Sequence, residues 1–185
     1  MITRNSSFYI FLLFLVSLFN TIMAQENNNH DKAFFAAGCF WGVESTFQSL
    51  DGVVSTTVGY IGGKVKNPSY ELVCTGITGH AEAVEVVYDS KVISYKQLLD
   101  TFFELHDPTT LNRQGPDVGT QYRSAIFYNN TEEKSLAEDT INEINESGKF
   151  PNKVVTEVVS ASNFYNAEEY HQDYYKKRGL TGCAI

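Results

Sequence analysis

Cysteine is scarce in this chain: Cys39, Cys74 and Cys183 are the three in 185 residues. So few exclude a disulfide scaffold, because at most one pair can close and one thiol is left over. No two are spaced as C-x-x-C, so the chain carries no thioredoxin-type motif of its own. Cysteine and histidine nowhere show finger-like spacing, and no structural zinc or other metal site is expected. The glycines at 115 and 119 lack the lysine and hydroxyl tail of a phosphate loop. Positive charge is also in deficit, 14 Lys and Arg against 22 Asp and Glu, for a net charge of −8. Such a chain repels nucleic acid and anionic membranes, which excludes both as partners. Beyond Asn29 there is no low-complexity tract, internal repeat or linker, and the length suits one domain.

One long apolar run is present, and it lies at the start. Arg4 is followed by the apolar residues 8–16, and Ala24 precedes a polar stretch, residues 25–30. This is the layout of a secretory signal peptide cut after Ala24, and the run is shorter than the ~20 residues of a membrane-spanning helix. The expected organisation is a signal peptide (1–24), a short polar segment (25–31) and one domain (32–185), exported to the periplasm or beyond. A monomer without membrane contact is expected after cleavage.

Within the domain, the apolar residues 33–37 read as a strand, followed by a glycine turn and a helix with Val43, Phe47 and Leu50 on one side. Residues 53–60 read as a second strand and 64–80 as an irregular loop. In a third strand, 81–88, alternation sets Glu82 with Val84, Val86 and Tyr88, and Glu85 with Ala83 and Val87. A helix over 94–105 must end before Pro108. A polar loop (109–119), a strand (121–128) and a helix capped by Thr131 that ends near Gly148 follow. The last elements are a strand at 154–159 and a short aromatic helix over 168–177. The order predicts an α+β fold: a two-layer α/β sandwich with a ferredoxin-like split βαβ core and a loop-rich C-terminal tail.

The stretch Gly38-Cys39-Phe40-Trp41-Gly42-Val43-Glu44 places a cysteine at a helix start. Unpaired N–H groups and the helix dipole favour thiolate there. The two aromatics that follow form an apolar wall. These residues alone support two readings equally, a reactive thiol beside a pocket or an inert cysteine packed at a strand–helix junction. If the Glu82 face points inward, desolvation raises its pKa and suits it to general acid work; a one-residue register change would expose it instead. Tyr70 and Tyr122 stand in loops, where a tyrosine can donate a hydrogen bond to a polar substrate group or simply pack. Asp117 is a loop aspartate able to orient a group through water. His80 reads as a surface or capping residue, and Cys74 as a small core residue. Cys183 lies in a glycine-rich end, where mobility suits a resolving thiol, or else it forms a static disulfide.

Several stretches together resemble the A-type peptide methionine sulfoxide reductases. They are GCFWGVE (38–44), NPSY (67–70) with Val73-Cys74, TGHAEAV (78–84), His106-Asp107-Pro108 and GTQYRSA (119–125), and the resemblance covers roughly residues 32–183. It implies that Cys39 attacks the sulfoxide sulfur as thiolate while Phe40 and Trp41 hold the substrate methyl group. Glu82 would protonate the sulfoxide oxygen, supported by Tyr70 and Tyr122, with Asp117 nearby. Methionine leaves, and Cys39 remains as sulfenic acid. Cys183 condenses with it, and a thioredoxin-like protein reduces the disulfide; neither metal nor organic cofactor is needed. The family accepts the S epimer at sulfur. The chain departs from the fuller pattern in having no cysteine after Cys183 and in carrying Pro116 beside Asp117.

Two other classes stand against this reading. A cysteine hydrolase using Cys39 and His80 would need a nucleophile context and an oxyanion partner that are not seen. An aromatic-rich secreted binding module would use Cys39 for packing alone.

Overall fold

The computed structural model describes residues 30–180. The signal segment and Cys183 lie outside these residues. Strand β1 (Asp31–Ala37) leads into helix α1 (Phe40–Gln48) and strand β2 (Val53–Ile61). Strand β3 (Ala81–Tyr88) then inserts between β1 and β2, antiparallel to both, so β1 and β2 run parallel with a strand between them. That is the split βαβ core expected from the element order. Strand β6 (Ser124–Tyr128) extends the sheet beside β1, β7 (Glu157–Ser160) adds to it in parallel, and the short β8 (Tyr165–Asn166) closes the far edge. The sheet order is therefore β7-β6-β1-β3-β2-β8. Between β3 and β6 the described chain forms α3 (Tyr95–Glu104) and a two-stranded hairpin, β4 (Arg113–Gln114) with β5 (Asp117–Val118). Helix α4 (Thr131–Ser147) connects β6 to β7.

The core sits between the sheet and its helices. Phe47 and Phe102 each stack on Phe35, with ring centroids 5.0 and 5.3 Å away, and Val84, Val86, Leu98, Leu99 and Ile126 fill around them. The opposite face carries a thinner layer of Phe34, Ala36, Ala81, Ala83, Ala125 and Phe127 under Phe164. Strand β1 is thus apolar on both sides, as befits a strand in the middle of a sheet.

Strand β3 has the expected bounds and the expected faces: Val84, Val86 and Tyr88 join the helix-side core, and Glu82 enters with them, 1 % exposed. Helix α3 starts at a capping box in which Ser94 accepts from the Gln97 N–H and Gln97 accepts from the Ser94 N–H.

Other expectations need correction. The α4 cap is Asn130, not Thr131, because the Asn130 side chain accepts from the Glu133 N–H. The strand expected from 121 begins at Ser124, after a 3₁₀ turn, Thr120–Tyr122, and β7 begins at Glu157. The loop over 64–80 contains a short helix, α2 (Tyr70–Cys74), capped by Ser69. Cys74 at its end is exposed, not a core residue. His80 is buried, neither surface nor cap: its Nδ1 accepts from the Gly63 N–H, so its Nε2 donates to the Val65 carbonyl. The loop folds back on that ring so closely that a β-carbon on Gly63 would sit 2.4 Å from it.

The largest difference is the stretch 168–177, which forms successive turns and a 3₁₀ turn at Lys176–Arg178 where an aromatic helix was expected. Long-range bonds hold it instead. Gln172 bonds both the N–H and the C=O of Val58 on β2, and Asp173 adopts a left-handed conformation with its N–H donated to Glu44.

Candidate active site

Gly38 turns the chain from β1 into α1 with φ +93°, and a β-carbon there would lie 2.7 Å from Gln114. Gln114 is held in turn by Asp107, accepting from its N–H and donating to its carbonyl. Replacing Gly38 by alanine is expected to cost roughly 1–3 kcal/mol in denaturant unfolding through left-handed strain, and to lower activity by moving the next residue. An unchanged midpoint would show that this turn tolerates a side chain.

The next residue is Cys39. It stands at the N-cap of α1, half-buried, with extended rather than helical backbone. The first helical N–H, that of Phe40, donates to Glu82 Oε2 at 3.2 Å. The buried carboxyl of β3 therefore lies against the turn that carries the thiol. Burial pushes Glu82 up to about 8, against the pull of the Phe40 N–H and with a further push from Asp117. At neutral pH it holds a proton. One of its oxygens is committed to the Phe40 N–H, which leaves the other free to donate.

Tyr70 and Tyr122 both lie within electrostatic reach of Glu82, and Tyr122 also of Cys39 and Asp117. Burial first pushes both phenols well above the usual tyrosine range, followed for Tyr70 by its hydrogen bond with Cys74 and for Tyr122 by Glu82, which is ionised at the alkaline pH where a phenol titrates, so both remain hydrogen-bond donors. The 3₁₀ turn of Tyr122 is pinned by Arg123, whose guanidinium reaches the Thr120 and Gly79 carbonyls and Glu157. Tyr70 is pinned at its N–H by Glu168, which also accepts from the Tyr60 hydroxyl at 2.8 Å.

The aromatic wall is deeper than expected. Phe40 is buried, and Trp41 is half-buried, with its indole N–H donated to His171 Nδ1 at 3.1 Å. Tyr174 stacks on the indole at 3.6 Å and 6°, and the Arg178 guanidinium lies 3.6 Å from the Tyr174 ring centre. His171 also packs against Phe40 and Tyr70. Because its Nδ1 accepts from Trp41 and burial lowers its pKa, the ring is neutral, and its Nε2 is buried with no hydrogen-bond partner among the described residues.

Cys39, Phe40, Trp41, Tyr70, Glu82, Asp117 and Tyr122 are therefore brought together. Cys183 lies outside the described residues. The sequence reading missed Gln114, Glu168, His171 and Tyr174; the density of aromatics near the chain end is the one signal for the last three, and Gln114 has none. Cys74, though exposed, shares a hydrogen bond with the Tyr70 side chain. Partial burial and the charges of Glu82, Glu71 and Glu168 outweigh that bond and push its thiol up, which keeps it a poor nucleophile.

A protonated buried acid beside a half-buried thiol at a helix start, walled by aromatics, is a geometry for attack on a polar group flanked by apolar carbon. The family model described as peptide methionine sulfoxide reductase matches residues 31–185. The chain belongs to this family. It is 56% identical over 158 residues to "Peptide methionine sulfoxide reductase MsrA" of Methanothermobacter thermautotrophicus, covering 85% of this chain and 94% of that one. Among solved structures it resembles Mxr1 of Saccharomyces cerevisiae in reduced form, at 40% identity and a TM-score of 0.78, covering 86% of this chain and 91% of that one. It also resembles Mxr1 in complex with Trx2, at 30% identity and a TM-score of 0.58, covering 80% and 87%. As a peptide methionine sulfoxide reductase family member it has the mixed α/β fold of its solved relatives, and the residues just described occupy the place where β1, α1 and β3 meet.

Proposed function

We propose that this chain reduces methionine-S-sulfoxide, free or in polypeptides, to methionine, with a thioredoxin-type protein as the electron donor. The observation that carries the reading is the placement of Glu82, protonated at neutral pH, against the turn that bears Cys39. Phe40 and Trp41 receive the substrate methyl group, and the sulfoxide oxygen faces Glu82, Tyr70 and Tyr122. Cys39 thiolate attacks the sulfur as Glu82 delivers its proton to the oxygen. The protonated oxygen then passes from the methionine sulfur to the Cys39 sulfur as the transient sulfur–sulfur bond breaks with its electron pair on methionine, which leaves, and Cys39 remains as sulfenic acid. Cys183 thiol then condenses with it, forming a disulfide and one water, and the donor dithiol reduces that disulfide by exchange. Asp117 tunes Glu82 through its charge, which raises the carboxyl pKa.

The layout of the first 24 residues supports export, and the net charge of −8 supports a monomeric domain without contact to anionic membranes once that segment is removed. The test of the reading is turnover of separated sulfoxide epimers. The S epimer is expected to be consumed with thioredoxin and the R epimer to remain; reduction of neither would refute it. Replacing Cys183 by serine is expected to give a burst of one methionine per enzyme and then a slow phase with thioredoxin, because the sulfenic acid has lost its intramolecular partner. Undiminished steady turnover would remove Cys183 from this role.

A further inference from the structure

Helix α1 carries Trp41, and one turn later it carries Glu44, a carboxylic acid only 2 % exposed. Its Oε2 accepts the Asp173 N–H at 2.9 Å, the Tyr174 N–H also donates to it, and its Oε1 accepts from the Thr56 hydroxyl on β2. Two successive N–H groups closing on one carboxyl is what the left-handed Asp173 (φ 52°) makes possible. Gln48, one turn further along α1, donates to Asp173 Oδ1 at 2.7 Å and to Thr56. The residues on either side of this grip are the ones that touch the indole: His171 bonds it and Tyr174 stacks on it.

We propose that Glu44 and Gln48 are positioning residues for the substrate cup, clasping the backbone at Asp173 so that His171 and Tyr174 set the Trp41 indole against the substrate methyl group. The proposal rests on the functional reading above. One helix then supplies both the wall and the grip on its buttress, and their relative placement is fixed by a single turn of α1.

The clasp responds to pH. Burial, and next the Asp173 carboxylate, pushes Glu44 up to about 7. The charged groups around it are Asp173 and, 3.9 Å beyond that, Lys176 on the same segment; β2 contributes the Thr56 hydroxyl and α1 the Gln48 amide. A group whose pKa is raised in the closed state holds a proton there that the open state releases. The clasp is therefore firmest below about pH 4.5 and loosens as pH rises from there to about 7, by up to ~10²-fold in its opening equilibrium.

Trp41 is the one tryptophan in the chain, so its fluorescence reports this site without reference to activity. In the full-length protein, E44A and Q48A are expected to raise acrylamide quenching of Trp41. E44A should also raise KM for a methionine sulfoxide peptide ~10-fold while the single-turnover rate at saturation stays within ~3-fold. The parent's quenching is expected to rise between about pH 4.5 and 7 and to level off above that. E44Q, which keeps an acceptor for Asp173 but cannot ionise, should match the parent at about pH 4.5 and stay flat to pH 7. Unchanged quenching in E44A and Q48A would overturn the proposal. So would a pH transition that persists in E44Q, since that assigns it to another group. Should E44A not fold, E44Q and Q48A carry the test. Because the optical signal needs no turnover, loss of the clasp and absence of sulfoxide reductase activity are read separately.

Discussion

C39S protein is expected to keep the parent's fold and to release no methionine from a sulfoxide peptide, a fall on the order of 10⁴-fold or more for loss of a nucleophile. The side chain sits at an N-cap where serine is itself a favoured residue, so the helix has no reason to unravel. What is lost is chemistry. A serine hydroxyl is not ionised near neutral pH, and its oxygen cannot take over the sulfoxide oxygen as a thiol does on becoming sulfenic acid. Single-turnover assays with circular dichroism on the same sample check both halves. Retained activity with a retained fold would place the nucleophile elsewhere, and the weakly nucleophilic Cys74 would need another look. A binding module using Cys39 for packing alone has no turnover in the parent either and predicts that the substitution changes packing alone.

E82Q is expected to slow the single-turnover reductive step by ~10³-fold, inside the ~10²–10⁴ span usual for a general acid. Glutamine keeps an oxygen for the Phe40 N–H and keeps the volume of a fully packed site, so the loss isolates the proton. The pH profile sharpens the test. With Glu82 at about 8, the parent's reductive rate should fall as pH rises through that value, and E82Q should show no such fall. Stability gives an independent reading of the same group. Its folded pKa lies above the unfolded 4.5, so between about 4.5 and 8 the native state binds more protons than the unfolded state. Parent stability therefore declines as pH rises through that window, by a few kcal/mol in all. E82Q should escape the decline and be the more stable protein above pH 8. A variant that loses less than tenfold in rate would remove Glu82 as proton donor, whatever its stability.

The two carboxyls buried around α1 show how far a sequence can be read. Glu82 was legible because β3 alternates over eight residues, and burying Val84, Val86 and Tyr88 forces every second side chain inward. Glu44 lies in a stretch singled out from the outset, yet its partner is 129 residues away, and no local pattern announces it. The same distinction separates α3, whose capping box and apolar stripe are local, from the segment after Ala167. That segment has helical spacing but gives its polar groups to Val58, Glu44 and Trp41 instead. His80 and Cys74 were misplaced for a related reason. The loop folds around the histidine, which accepts from the Gly63 N–H and donates to the Val65 carbonyl, while Cys74 ends a short helix on the exposed side. Cys39 and Glu82 are thus placed by local strand and helix patterns, while the frame that holds the aromatic wall depends on contacts that exist only after folding.

Strand β1 has a consequence for how the protein is made. Its Phe34–Ala37 edge pairs with residues 124–127, and its other edge with 84–88 of β3. Tyr60 on β2 must likewise wait for Tyr165. The first strand of the domain is thus in the middle of the finished sheet, and its second neighbour, β6, is not made until residues 124–128. Such non-local pairing is slow, on the order of milliseconds to seconds, because loop closure precedes any gain from contact. The apolar β1 therefore stays paired on one side alone until residues 124–127 return to it, and the sheet closes late.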